Sequence, residues 1–378
     1  MSAAGTDAMT NRPTPTPAAV EAEGITKNYG PVTALKPTSF AIPAGRYFVL
    51  LGPSGGGKTT TLRMIAGLIR PTGGRVRING VDVTDQPADR RDTSMVFQGS
   101  ALFPHMTVEQ NVAYGLTLRR LPRDAIRAQV LDMLKLVGLA GFERRRPHEL
   151  SGGQQQRVQL ARALVLKTSV ILLDEPLAAL DAQLRRDMCF ELKHIQESVG
   201  ITFVHVTHNQ EEAMTVADEI ALIADGELVE SGTPGHMYES PRRRFTAGFV
   251  GENTLFDGIV RHDGAAASLA VAEGLSLPLP PAPGVDWASA DGRAAAVSVK
   301  AEDFRLAAGA GAEPGAVETP VEVVDAFYLG FSTVMHVRLP TGHAATVRMA
   351  TRSLPGRFAP GDRAFLSWRP DAVRVHLA

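Results

Sequence analysis

The run from Arg46 to Gly67, RYFVLLGPSGGGKTTTLRMIAG, constrains this chain more than any other stretch. Tyr47 to Leu51 is continuously apolar and reads as a strand covered on both faces, as in parallel sheets. Glycine and proline break it, and from Lys58 onward Leu62, Ile65 and Ile69 recur on one helical face. Between the two, Gly52-Pro53-Ser54-Gly55-Gly56-Gly57-Lys58-Thr59 matches the P-loop pattern G-x-x-x-x-G-K-[ST] without a gap. Glycines, lacking Cβ, let successive backbone N–H groups close on phosphate oxygens, and the helix N-terminus aims partial positive charge at the same anion. In this pattern Lys58 reaches the β- and γ-phosphates of a nucleotide, and the Thr59 hydroxyl helps to hold Mg²⁺. The plain alternative is a glycine-rich turn, and the strand–loop–helix context argues against it.

The chain has 378 residues, enough for two ordinary domains, each with its own core. A net charge of −1 gives no overall reason to expect nucleic acid or an anionic membrane surface. Cys189 is the only cysteine, which excludes an intrachain disulfide and disfavours a thiolate metal site. No apolar run reaches the length of a membrane span, and the N-terminus lacks the apolar core of a signal peptide. The expectation is a cytosolic protein whose membrane role, if it has one, comes through a partner.

Residues 1–19, rich in Ala, Thr and Pro, read as a disordered tail. Strand-like text begins at Val20, and Tyr29 there reads by itself as a packing aromatic rather than a base-stacking platform. Thr93 to Gln98 reads as a strand ending in a polar amide, which in isolation is a solvated edge. From there to about Leu166 the pattern is mostly helical, as in VEQNVAYGLTLRR and DAIRAQVLDMLKLVGL. Leu102 to Met106 is unusually apolar for a connection, and serves either burial under a helix or reception of a partner. Ser151 opens LSGGQQQR as a natural N-cap, so Ser151, Gly152, Gly153 and Gln154 form either a capped helix start or a second phosphate-directed terminus. Val170 to Glu175 puts two carboxylates at the end of an apolar strand, where open α/β sheets bind ligands. Strand alternation gives Asp174 and Glu175 different roles, a Mg²⁺ ligand and an acid able to orient water. Ile201 to Thr207 delivers His208 at another strand end, and the phosphate-directed elements upstream favour function over packing.

In this order the pieces resemble the ATP-binding subunit of an ATP-binding cassette (ABC) transporter, over about Val20 to Gly251. The resemblance implies an α/β P-loop cassette over residues 20–253, with a RecA-like core and a helical subdomain at about 99–166. It implies ATP as the nucleotide, held by Gly52, Pro53, Ser54, Gly55, Gly56, Gly57, Lys58, Thr59 and Thr60, with Tyr29 stacked on adenine. Mg²⁺ would be held by Thr59, Asp174 and Gln98. Glu175 would be the general base and His208 the γ-phosphate switch. Gln98 would link the nucleotide site to the membrane partner. The family's signature segment would be Ser151 to Gln154, and Asp181 its D-loop residue. Two copies would close head-to-tail, each completing the other's ATP site, and the patch at Phe103 to Met106 would pass the motion to permease subunits. Departures from the commonest family text stand at Ala178 in LAALD and Asn209 in HNQEE.

After about Thr254 the text turns to short alternating strands and glycine turns, which suggests a small β-barrel over residues 254–378. Residues 261–293, rich in Ala, Gly and Pro, read as looser. VKAEDFRL, FYLGFSTVMHVRL and FLSWRPDAVRV resemble the TOBE-type module of bacterial importers, with Ala301 where proline is more usual. The resemblance implies an importer ATPase at the cytoplasmic face of the bacterial inner membrane, working indirectly with an extracytoplasmic solute-binding protein. GTPGHMYESPRRRFTAGFVGENTLFDGIV is most similar to the spermidine/putrescine group, with ferric iron, 2-aminoethylphosphonate or sugar import as rivals. A non-transport ABC ATPase acting on DNA or the ribosome is the more distant alternative. It would call for a long coiled coil, a second cassette or a basic groove; the sequence has no sustained heptads and one cassette, and its net charge does not suggest such a groove.

Overall fold

Tyr47 to Leu51 form strand β3 with every residue buried, as an uninterrupted apolar run requires. This is a computed structural model, and it describes residues 18–99, 101–264, 266–272, 275–280, 285–311 and 313–377. They divide into two compact units, one reaching residue 219 and including 223–228, the other holding 220–222 and 229 onward.

In the first unit, β1 (Ala18–Tyr29), β2 (Val32–Pro43), β4 (Gly73–Ile78) and β5 (Val81–Asp82) form an antiparallel sheet in the order β2-β1-β4-β5. β1 starts at Ala18, inside the stretch read as tail, and Ala19 is buried; residues 1–17 lie outside the described residues. The second layer is parallel: β3, β8 (Thr202–Thr207), β7 (Val170–Asp174) and β6 (Thr93–Val96) lie side by side in that order. All residues of β7 and β8 are buried. Because these strands run the same way, the four segments that follow them emerge on one edge, where such sheets take ligands.

Helix α1 (Lys58–Ala66) follows β3 and buries Leu62, Met64 and Ile65. It ends earlier than the apolar pattern implied. Gly67 adopts φ +76° and its N–H bonds Met64 O, so Ile69 lies beyond the helix. Helices α2 (Val108–Leu118), α3 (Arg123–Leu136) and α4 (Gly152–Leu164) occupy the expected helical stretch, α4 stopping short of Leu166. They are followed by α5 (Ala182–Val199) and α6 (Gln210–Val216). The chain passes between units within β9 (Glu219–Ala224) and β10 (Glu227–Gly232).

The second unit starts well before Thr254, since it includes α7 (Pro234–Glu239) and α8 (Arg244–Phe249). Its first sheet runs β13-β12-β11-β14-β20, built from β11 (Asn253–His262), β12 (Ala267–Ala272), β13 (Leu275–Leu279), β14 (Ala294–Lys300) and β20 (Arg374–Leu377). The second runs β15-β19-β16-β17-β18, built from β15 (Arg305–Ala307), β16 (Val317–Tyr328), β17 (Ser332–Arg338), β18 (Ala344–Ala350) and β19 (Arg363–Trp368). Both sheets contribute to one apolar core, in which Trp368 stacks on Phe256 and meets Phe304 edge-on. The stretch 261–293 is more regular than its composition implied. It carries β12, β13 and a short helix α9 (Trp287–Ala290), because Leu269, Leu275, Leu277 and Leu279 alternate inward.

Candidate functional site

Each strand of the parallel layer delivers one chemical group to the shared edge: the P-loop after β3, Gln98 after β6, Asp174 and Glu175 at the end of β7, His208 after β8. Within the P-loop, Gly52, Gly55 and Gly57 adopt φ of +148°, +79° and +106°, where an L side chain is strained. Gly52 has a second reason to be glycine. A Cβ there would stand 1.9 Å from the carbonyl oxygen of Ile223, and one on Gly56 would stand 2.9 Å from the same atom. Gly226 N–H also bonds Gly56 O, so backbone at 223–226 walls the loop from behind. Nothing in the sequence motif announced that wall.

The Pro53 carbonyl accepts from Lys58 Nζ at 2.8 Å and from Gly56 N–H at 3.2 Å. Burial lowers the Lys58 ammonium pKa from its ordinary value, while Glu175 and Asp174 pull it back up. The cationic end thus sits folded into the loop, and incoming phosphate oxygens would replace the Pro53 carbonyl as its partner. Ser54 to Thr60, with Ala34 and Glu175, line a cavity of about 200 Å³. α1 begins at Gly57 with no side chain capping it, which leaves its first N–H groups free to face an anion.

Thr59 Oγ1 donates to Asp174 Oδ1 at 3.3 Å. Asp174 is nearly buried, and that burial raises its carboxyl pKa above the ordinary value, against the lowering effect of Arg63, whose guanidinium lies at 3.6 Å. A buried carboxylate with one weak ion pair and a hydroxyl beside it is a donor set suited to a hard divalent cation, whose remaining ligands would be phosphate and water. Among the described residues no three His, Cys, Asp or Glu side chains cluster as a self-sufficient metal site. Arg63 escaped the sequence reading. Its position four residues after Thr59 puts both on one helical face, and that spacing was the available signal.

Glu175 does not continue the alternation of β7. Its φ is +45°, outside the strand, although its N–H still bonds Val206 O at 3.0 Å. The separate roles expected for Asp174 and Glu175 therefore rest on this backbone turn, not on pleating. Glu175 Oε2 accepts from Gln98 Nε2 at 3.2 Å and lies 3.4 Å from His208 Nδ1. Gln98 thus enters the site through Glu175, and the Thr59–Asp174 pair is bridged by its own hydrogen bond.

The remaining candidates are occupied locally. Tyr29, at the end of β1, is half-exposed with Lys27 Nζ 5.1 Å above its ring. Ser151 and Gln154 form a capping box: Ser151 Oγ accepts from Gln154 N–H at 3.3 Å, and Gln154 Oε1 from Ser151 N–H at 3.0 Å. A Cβ on Gly153 would meet Leu184 at 3.3 Å, so α4 and the start of α5 approach closely there. Asp181 caps α5, accepting from Gln183 and Leu184 N–H at 3.1 and 3.0 Å. In the apolar connection Leu102 is buried, while Pro104 and His105 are exposed. Asn111, fully buried, ties this loop down through the N–H and carbonyl of Phe103.

The ABC transporter family model matches residues 35–178, and the TOBE domain model matches residues 297–375. The chain is 46% identical, over 90% of its length and 88% of the relative's, to a spermidine/putrescine import ATP-binding protein of Acidothermus cellulolyticus. It is 51% identical, over 68% of its length and 73% of the relative's, to an Fe(3+) ions import ATP-binding protein of Rhizobium etli. Among solved structures, a dimeric post-hydrolysis state of an ATP-binding cassette bound to ADP and Pi matches with a TM-score of 0.51 at 34% identity. That match covers 57% of this chain and 98% of the other.

Proposed function

The chain belongs to the ATP-binding subunits of ABC transporters, and from that premise we propose that it drives polyamine import at the cytoplasmic face of a bacterial inner membrane. It is an ATPase with a C-terminal TOBE domain. The observation that carries the site assignment is the meeting of Gln98, Glu175 and His208, from three strand ends, beside the P-loop cavity that Glu175 also lines.

On this reading Tyr29 stacks on adenine and the backbone of Gly52 to Thr60 receives the phosphates. Lys58 leaves the Pro53 carbonyl for the β- and γ-oxygens. Thr59, Asp174 and Gln98 would hold Mg²⁺, which when bound neutralises charge on those oxygens. Glu175 takes a proton from the water that attacks the γ-phosphorus, as the bond to the β–γ bridging oxygen breaks and ADP departs with that oxygen. His208 steadies the γ-phosphate. A second copy, head-to-tail, presents Ser151 to Gln154 to the same phosphate, with its Asp181 at the join. The positive ends of α1 and of the partner's α4 then face the γ-phosphate from both sides. Permease subunits receive the motion at Phe103 to Met106, and an extracytoplasmic solute-binding protein supplies cargo to them.

Support for polyamines comes from the relative named for spermidine and putrescine, which spans nine-tenths of this chain. The ferric-iron relative spans about two-thirds of it. The test is uptake of labelled putrescine, spermidine, ferric iron and 2-aminoethylphosphonate in native cells carrying the parent or Lys58→Ala. Selective loss of polyamine uptake is expected. Unchanged polyamine uptake with loss of another cargo would keep the importer and discard the polyamine.

A further inference from the structure

The turn that carries His208 is pinned from behind. Thr207 Oγ1 accepts from Asn209 N–H at 3.0 Å and donates to Glu212 Oε2 at 2.6 Å, so that one hydroxyl closes the chain around His208. Asn209 Oδ1 accepts from Glu212 N–H at 3.1 Å, fixing the start of α6 to the same turn. Glu212 is 4% exposed, which is unusual for a glutamate, and its second oxygen lies 3.5 Å from Arg185 Nε. His205 Nε2 is a further titratable neighbour, 3.7 Å from Oε2, and His208, Glu175, Cys189 and Tyr47 also lie within electrostatic reach. Arg185 reaches in two directions. Its Nη2 donates to the Leu180 carbonyl at 2.8 Å, immediately before Asp181, while its Nε turns to Glu212 and has no hydrogen bond of its own. Glu175, His208, Arg185 and Glu212 all line one cavity of about 40 Å³.

These contacts form a continuous path of polar groups from the Asp181 turn, through Arg185, Glu212 and Thr207, to His208 and Glu175. We infer that Arg185 and Glu212 are positioning residues that tie the placement of His208, and through it the Glu175 carboxylate, to the Asp181 turn. The inference rests on the proposed roles of Glu175, His208 and Asp181. Neither Arg185 nor Glu212 touches the nucleotide on this reading. The pair acts on turnover and not on binding. A buried ion pair kept only for stability would behave differently, weakening the whole unit when one partner is removed.

The test is steady-state hydrolysis by the purified full-length chain across ATP concentrations. The variants are Glu212→Gln, Arg185→Gln, the double variant, Arg185→Lys and Glu175→Gln. Each single glutamine variant is expected to lower kcat about tenfold with KM for ATP within about twofold. The double variant should fall no further than the worse single, because both remove one connection. Arg185→Lys, which keeps the cation, should retain more activity than Arg185→Gln, and it serves as the probe if Glu212→Gln does not fold. Unchanged kcat, multiplying losses, or a rise in KM together with a lower melting midpoint would overturn the inference. If Glu175→Gln hydrolyses at the parental rate, the base assignment fails and takes this inference with it. If Glu175→Gln is inactive while the pair variants turn over normally, this inference alone fails.

Discussion

His208 Nδ1 stands 3.4 Å from Glu175 Oε2, the same oxygen that accepts from Gln98 Nε2 at 3.2 Å. One carboxylate oxygen is thus approached by two nitrogens from different strand ends. Glu175→Gln keeps the shape and removes the base. We expect ATP still to bind, since Lys58 and the P-loop backbone are untouched, and phosphate release to fall at least about a hundredfold. With ATP the variant should accumulate as a closed dimer, read by light scattering. Phosphate release at the parental rate would exclude Glu175 as the base.

Gly52 and Gly55 both adopt positive φ, but only Gly52 is walled in. Gly55→Ala meets nothing within 4 Å and should cost only the backbone strain, about 1–2 kcal/mol. Gly52→Ala must displace the backbone at Ile223, and should lose nucleotide affinity by more than about tenfold along with a larger drop in melting midpoint. Fluorescent nucleotide titration and thermal melting of the two variants check the contrast. Equal behaviour would mean that the loop is limited by φ alone.

Those two glycines show where sequence reading stops. The motif made the P-loop, its strand and its helix legible, because each depends on residues within a few positions of the others. The same held for Asp174 and Glu175, at the end of an apolar run, and for His208, just after a strand-like stretch. The wall at Ile223 was not legible, since it is 171 residues from Gly52 and made of backbone, which no side-chain pattern encodes. Arg185 and Glu212 carry no local signal, since 27 residues separate them and only the fold sets the half-buried guanidinium beside the buried carboxylate. The strands at 267–279 were missed because alanine and proline lower strand propensity while the inward leucines still build the core.

Ser151 is at once a helix cap and, on the proposed function, a phosphate contact for the partner copy. Loss of the cap in Ser151→Ala should cost about 1 kcal/mol of stability. Ser151→Asp keeps a capping acceptor and adds negative charge where a phosphate is to be received. We expect Ser151→Asp to melt like the parent yet hydrolyse at least about tenfold more slowly. Nucleotide binding by the isolated subunit should be normal in both variants. Normal turnover in Ser151→Asp would reduce this serine to a structural cap.

His205 offers a prediction that depends on pH. Its ring is fully buried beside Tyr47, whose hydroxyl lies 3.1 Å from Nδ1, and burial lowers the imidazole pKa to about 3 from the usual 6.5. In the folded chain the ring is neutral across the accessible range, whereas the unfolded chain binds a proton below about pH 6.5. The unfolded state therefore gains protons as pH falls, and the stability this group contributes is complete above 6.5 and lost progressively toward 3. The expected loss is about 1.4 kcal/mol for each pH unit below 6.5. Glu212, whose carboxyl pKa burial raises, works in the opposite direction, so the parent's slope is a net value. His205→Gln removes the imidazole and leaves Glu212. Urea unfolding of the first unit at pH 7.5 and 5.5 should show the parent destabilised by acid, and the variant unchanged or slightly stabilised. The same acid loss in both would mean that the proton is taken up elsewhere.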